Sequence, residues 1–253
     1  KSYHFIYCIK LLFAIFAPLM KRKRIIQKAI IKLHKLPKNQ LMIMLSIIIG
    51  FVGGVIAVIM KNIVFYVREL LTSDFSESYS NYLYVIYPAI GIFATVIFIK
   101  FLLRRPVRDG VPNVLYAISK EHGVIKKHNT FSSIITSALT VGFGGSVGLE
   151  GPTVVTGAAW GSMIGKALRL NYKQMVTILG FAAAAAMSAI FKAPIAAIVF
   201  ALEVILFDMT MTALVPLLIA SITAALTSYM FLGQDILYPF VIDHKFELGQ
   251  TPY

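Results

Sequence analysis

The chain has 253 residues, 58% of them hydrophobic and 14% charged, with a mean hydropathy of +0.79. Soluble domains carry about 25% charged residues, so a water-soluble fold is excluded, and recurring apolar stretches of roughly 20 residues read as bilayer spans. The net charge is +13, and residues 1–40 hold ten Lys and Arg with no Asp or Glu; beside membrane spans this is a cytoplasmic flank against anionic headgroups, not a nucleic-acid arm.

The first residue is Lys1 and the last stretch, Asp243 to Tyr253, is polar, so both ends read as cut. Leu11–Met20 is apolar, but the Lys21-Arg22-Lys23-Arg24 cluster after it is wrong for a signal peptide, and no cleavage is expected. From Lys23 to Lys35, Ile25, Ile26, Ala29, Ile30 and Leu33 share one face, which predicts a basic interfacial helix ended by Pro37. Residues 1–40 therefore form a cytoplasmic, interfacial segment, and 41–253 the transmembrane region.

Leu41 to about Leu71 is a long apolar helix whose Gly50-x-x-x-Gly54 spacing permits close helix approach. The link 72–83 carries Asp74 and Glu77 and should face outside. A second span, about Leu83–Leu103, returns to Lys100, Arg104, Arg105 and Arg108, which should be inside. Beyond Arg108 the apolar segments shorten to about 112–119, 130–142, 152–168, 174–190, 193–207 and 211–231, broken by Gly and Pro. Short, interrupted hydrophobic helices predict half-helices meeting at a buried site near the midplane; kinked, tilted spans are the alternative.

The segment Val141 to Thr153 concentrates glycines ahead of Pro152, which suits a first helical turn. Gly157, Gly161 and Gly165 then mark a tight packing face. A helix amino terminus at membrane depth offers unpaired N–H groups and a positive dipole end, an anion site that needs no cationic side chain. Glu150 lies in this loop. Deprotonated, its carboxylate would compete for the same donors; protonated, it would swing away. Simple capping of the helix is the plainer reading. Cys8 is the single cysteine, and His4, His34, His122, His128 and His244 show no metal spacing. No metal or cofactor is expected, and no nucleophile, acid/base or metal constellation points to an enzyme.

Gly148-Leu149-Glu150-Gly151-Pro152 resembles the G-(K/R)-E-G-P signature of the CLC chloride channel and transporter family. Arg108-Asp109-Gly110-Val111-Pro112 lies where that family has G-S-G-I-P, and Phe191-Lys192-Ala193-Pro194 with Leu202-Glu203 resembles its F-N-A-P segment and acidic pair. The likeness runs over roughly residues 22–248. It implies an all-α integral membrane fold of CLC-like broken-helix, inverted-repeat architecture with only the first repeat present. The second repeat is expected downstream or from another chain. It further implies a homodimer in membrane lipid that passes chloride or a similar small anion, with Glu150 as the gate. Gly148, Leu149 and Gly151, with Asp109, Gly110 and Val111, are the implied anion-binding positions.

Three departures bear on mechanism. Leu149 replaces a basic residue. Asp109 replaces the serine; protonation, a turn toward Arg105 or Arg108, and a place outside the site all remain open. Val204 stands where proton-coupled members have their second acid, which favours a channel over an exchanger. Glu203 is a candidate for a proton path or a buried acid tying helices together, and Asp208 is a weaker proton candidate. A non-transporting membrane interaction module is the alternative of another class; a cation-coupled symporter is disfavoured by the few intramembrane carboxylates.

Overall fold

The computed structural model describes residues 37–73, 83–104, 110–205 and 213–233, and every regular element among them is helical. The basic interfacial segment before Pro37, the acidic link with Asp74 and Glu77, Arg105 to Asp109, and Asp208 lie outside the described residues.

Helix α1 (Lys38–Ser73) has no proline or interior polar cluster to stop it, and Leu41 N–H donates to the Pro37 carbonyl as it begins. Its 36 residues would measure about 54 Å at 1.5 Å per residue, well beyond the ~30 Å hydrocarbon layer. Helix α2 (Leu83–Ile97) contains Pro88 and runs on as a π-helical stretch, Phe98–Leu103, closed by an Arg104 N–H bond of 3.0 Å to the Ile99 carbonyl. Helices α3 (Val111–Lys120), α4 (Asn129–Gly142), α5 (Glu150–Ala167), α6 (Tyr172–Phe191), α7 (Pro194–Val204) and α8 (Leu214–Leu232) follow.

Four of these, α1, α2 with its π stretch, α6 and α8, are long and apolar enough to cross a membrane. The half-helix expectation therefore holds by length for α3, α4 and α7, with 10, 14 and 11 residues, while the apolar runs about 174–190 and 211–231 belong to helices of spanning length. Their Gly and Pro residues lie at helix ends or on packing faces, where they do not shorten the helix.

Helix α6 is the centre. Its span is 72% buried, against 6% for the peripheral α2 span. The run Ala182–Ala186 lets neighbouring backbones approach, because alanine offers no side chain beyond Cβ; in lipid such close packing, not exclusion from water, drives association. The glycines complete the fit. A side chain at Gly157 would begin 2.5 Å from the Ala182 carbonyl oxygen, and one at Gly161 2.6 Å from Ala182 Cβ, so α5 and α6 pack antiparallel along the predicted face. Gly50 and Gly54 of α1 likewise abut α8, 2.6 Å from the Ala220 oxygen and Thr227 Cβ respectively by the same measure. Three hydroxyls inside α4 return to their own helix: Thr136 donates to the Ser132 carbonyl, Ser137 to Ser133 and Thr140 to Thr136. This satisfies them without water.

Candidate functional site: two helix amino termini

Helices α3 and α5 run side by side in the same direction. At their carboxyl ends the Ser162 hydroxyl donates to the Gly123 carbonyl and accepts from Ile125 N–H, both at 2.9 Å, while Tyr172 OH donates to the Ile118 carbonyl. At their amino ends Gly151 meets Gly110: a side chain on Gly151 would begin 3.2 Å from Gly110 Cα. Gly110, the residue before α3, holds φ 85° and ψ 179°, a conformation open to glycine and strained for other residues. The two helix starts that the sequence placed in separate motifs are thus in direct backbone contact.

Neither start is capped by a side chain. Asn113 N–H donates to the Gly110 carbonyl and Thr153 N–H to the Leu149 carbonyl, and these are the first bonds of their helices. The N–H groups of Val111, Glu150 and Gly151 lie ahead of them, and Pro112 and Pro152 have none to offer. Two positive dipole ends therefore converge where no lysine or arginine occurs between Gly142 and Met163. Such partial charges attract an anion without holding it as tightly as a full charge would.

Glu150 is the first residue of α5 and is exposed. Its carboxylate folds back over Gly148, occupying the place a Gly148 side chain would take. It makes no hydrogen bond with a described residue, so it does not cap the helix through one. Leu149, 2% exposed, anchors the loop in the core instead. Behind it the Thr153 hydroxyl bonds the Leu149 carbonyl and approaches Met60 Sδ of α1 at 3.6 Å. The glutamate side chain is unbonded among the described residues, while the backbone beneath it is held.

Gly148, Leu149, Glu150 and Gly151 are therefore brought together with Gly110 and Val111. Asp109 lies outside the described residues. Glu203 is not brought to the site: it sits in the last turn of α7, about 14 Å along that helix from Pro194 at 1.5 Å per residue. It is exposed and has no hydrogen bond or ion pair with a described residue. The reading of Glu203 as a tie between helices finds no partner for it among the described residues.

Two residues escaped the sequence reading. The Asn113 side-chain nitrogen, in the first turn of α3, is buried without a hydrogen-bond partner among the described residues. Lys61, in the apolar run of α1, is 2% exposed and the one charged side chain among the buried described residues. Its charge inside a span was the available signal. Nothing in the sequence marked Asn113.

The family model described as "Voltage gated chloride channel" matches residues 90–253. A "Putative chloride channel protein ClcB-like" of Ralstonia nicotianae is 29% identical over 155 residues, 60% of this chain and 36% of that protein. An "H(+)/Cl(-) exchange transporter ClcA" of Vibrio vulnificus is 26% identical over 232 residues, 85% of this chain and 50% of that one. Among solved structures, a CLC-type fluoride/proton antiporter superposes with a TM-score of 0.59 at 29% identity, covering 81% of this chain and 50% of its own. A slow cyanobacterial Cl−/H+ antiporter gives 0.66 at 16% identity, with 85% and 52% covered, and bears on the fold alone. The chain spans about half the length of, or less than, these relatives.

Proposed function

Because the chain belongs to the voltage-gated chloride channel (CLC) family and is a multi-pass integral membrane protein, we propose that it forms the first repeat of an anion pathway gated by Glu150. The observation that carries this reading is the contact between Gly110 and Gly151, which joins two uncapped helix amino termini beside a carboxylate. A second repeat supplies the remaining wall. The amino-terminal flank is cytoplasmic, by the excess of Lys and Arg there. Residues 1–40 remain the interfacial segment and 41–253 the transport repeat, in a homodimer surrounded by lipid.

An anion entering the site trades water for the N–H groups of Val111, Glu150 and Gly151. The Glu150 carboxylate, already folded against the loop, competes for that place; protonation removes the competition. Chloride is the anion we assign first. Fluoride is the alternative suggested by the name of one structural relative. Passive conduction agrees with Val204 beside Glu203, since valine cannot relay a proton. Proton-coupled exchange is the second reading, favoured by the names of the Vibrio relative and both structures.

The test is flux from liposomes holding the natural full-length protein. Electrogenic chloride release above protein-free controls is expected, with a reversal potential that ignores a proton gradient. No release of chloride or fluoride would refute transport and leave the interaction-module reading. A reversal potential that moves with pH would replace conduction by exchange. In the same assay Asn113→Ala is expected to weaken apparent anion affinity by about tenfold, the loss of one hydrogen bond to a charged group at ~1.5 kcal/mol. An unchanged affinity would remove Asn113 from the site.

A further inference from the structure

The loop before α5 carries no cation, yet two lysines lie at the depth of Glu150. The antiparallel register that sets Gly157 against Ala186 and Gly161 against Ala182 continues upward to bring Lys192 and Ala193 level with Glu150. Lys192 ends α6 in a left-handed conformation, φ 54°, where glycine is the usual choice. Its Nζ donates to the Gly233 carbonyl at 2.6 Å and lies 4.6 Å above the Tyr229 ring. Both contacts favour the charged amine and both belong to the carboxyl end of α8, whose dipole is negative.

Lys61 reaches the same level from α1. Gly53 of that helix packs on Ala185 and Ala186, and Met60 touches Thr153 in the first turn of α5. Lys61 shares the helix face of Gly50 and Gly54, which lie on α8; seven residues past Gly54, this face reaches the last turn of α8. The packing of Val58 and Ile59 with Phe231 and Leu232 agrees. A bare helix carboxyl terminus near the entrance would repel an arriving anion. Two lysines there set positive charge beside it.

We propose that Lys192, backed by Lys61, forms a cationic cap over the carboxyl end of α8 that raises anion concentration at the Glu150 entrance. They are positioning charges, touching neither the gate nor the anion. The inference rests on the transport reading above and names the attraction that the uncharged Glu150 loop lacks. Steering of this kind acts on loading and fades with ionic strength.

The experiment uses the natural full-length protein in liposomes, with initial chloride flux measured against chloride on the Glu150 side at low ionic strength. Lys192→Gln should raise the half-saturating chloride concentration about fivefold, between the roughly twofold of a unit charge about 10 Å away in water and the larger effect near a protein surface, and leave the maximal rate within about twofold. Lys192→Arg should restore the wild-type value, and an impermeant salt should erase the difference. Lys61→Met should shift half-saturation in the same direction. If Lys192→Gln leaves half-saturation unchanged, or lowers only the maximal rate and thermal stability, the lysine is a structural tie to Gly233 and the proposal fails. A wild type without flux would sink the transport reading and this one together; wild-type flux with indifferent lysine variants would sink this one alone.

Discussion

Glu150→Gln is expected to abolish the pH dependence of anion flux and to leave the pathway open at neutral and alkaline pH. The amide keeps the shape of the protonated acid but cannot become an anion. In the wild type an ionised carboxylate is attracted to the amino ends of α3 and α5 and the protonated acid is not. Flux is therefore expected to fall as pH rises. A carboxylate exposed at a helix amino terminus gains about 0.3–1 kcal/mol, and 1.4 kcal/mol is tenfold in an equilibrium. At alkaline pH the variant should thus exceed the wild type by roughly two- to fivefold. Initial-rate flux across a pH series measures this directly. A variant that keeps the wild-type pH profile removes Glu150 as the gate, whatever its absolute rate.

The second large effect concerns the fold that holds the gate. Gly157→Val should destabilise the protein by about 3 kcal/mol, the upper part of the usual cost of overpacking. The new Cβ would meet the Ala182 carbonyl oxygen at 2.5 Å and Ala186 Cβ at 2.7 Å. One is main chain and the other is already the smallest side chain with a Cβ, so neither can yield without separating α5 from α6. Thermal unfolding in detergent should show a lower midpoint and loss of the monodisperse species. Val147→Ala, at an exposed loop position, should leave the midpoint where it was. Equal stability for Gly157→Val would mean that α5 and α6 do not pack as described.

Much of this architecture was legible in the sequence because lipid imposes simple rules. The long apolar run after Pro37, the Gly50–Gly54 pair and the Gly157-Gly161-Gly165 series each found the contact their spacing predicts. The order of short segments after Arg108 also matches the helices. The start of α6 was read late, at about 174 where the helix begins at Tyr172, because hydrophobic periodicity does not register a polar cap and Asn171 and Gln174 form a capping box at that first turn.

The site was legible in its parts but not in its assembly. Glu150 and its glycines were marked by their chemistry and by resemblance. That Gly110 lies against Gly151, across some forty residues of chain, is a tertiary contact with no local signal. Asn113 was hidden for the same reason, since its donor is left without a partner among the described residues only once α3 packs on α5. The exposure of Glu203 had no local signal either: a carboxylate in an apolar helix looks the same in sequence whether a neighbour covers it or not.

The central claim is that the amino ends of α3 and α5 together hold the anion and that Glu150 competes with it. Soaking bromide into crystals of the natural full-length protein and of Glu150→Gln, and locating it by anomalous scattering, tests both halves at once. The account predicts bromide beside the N–H groups of Val111 and Gly151 in the variant, with weaker or no occupancy there in the wild type at alkaline pH. Bromide bound away from Gly110 and Gly151 in both proteins, or bound between them with equal occupancy, would contradict it.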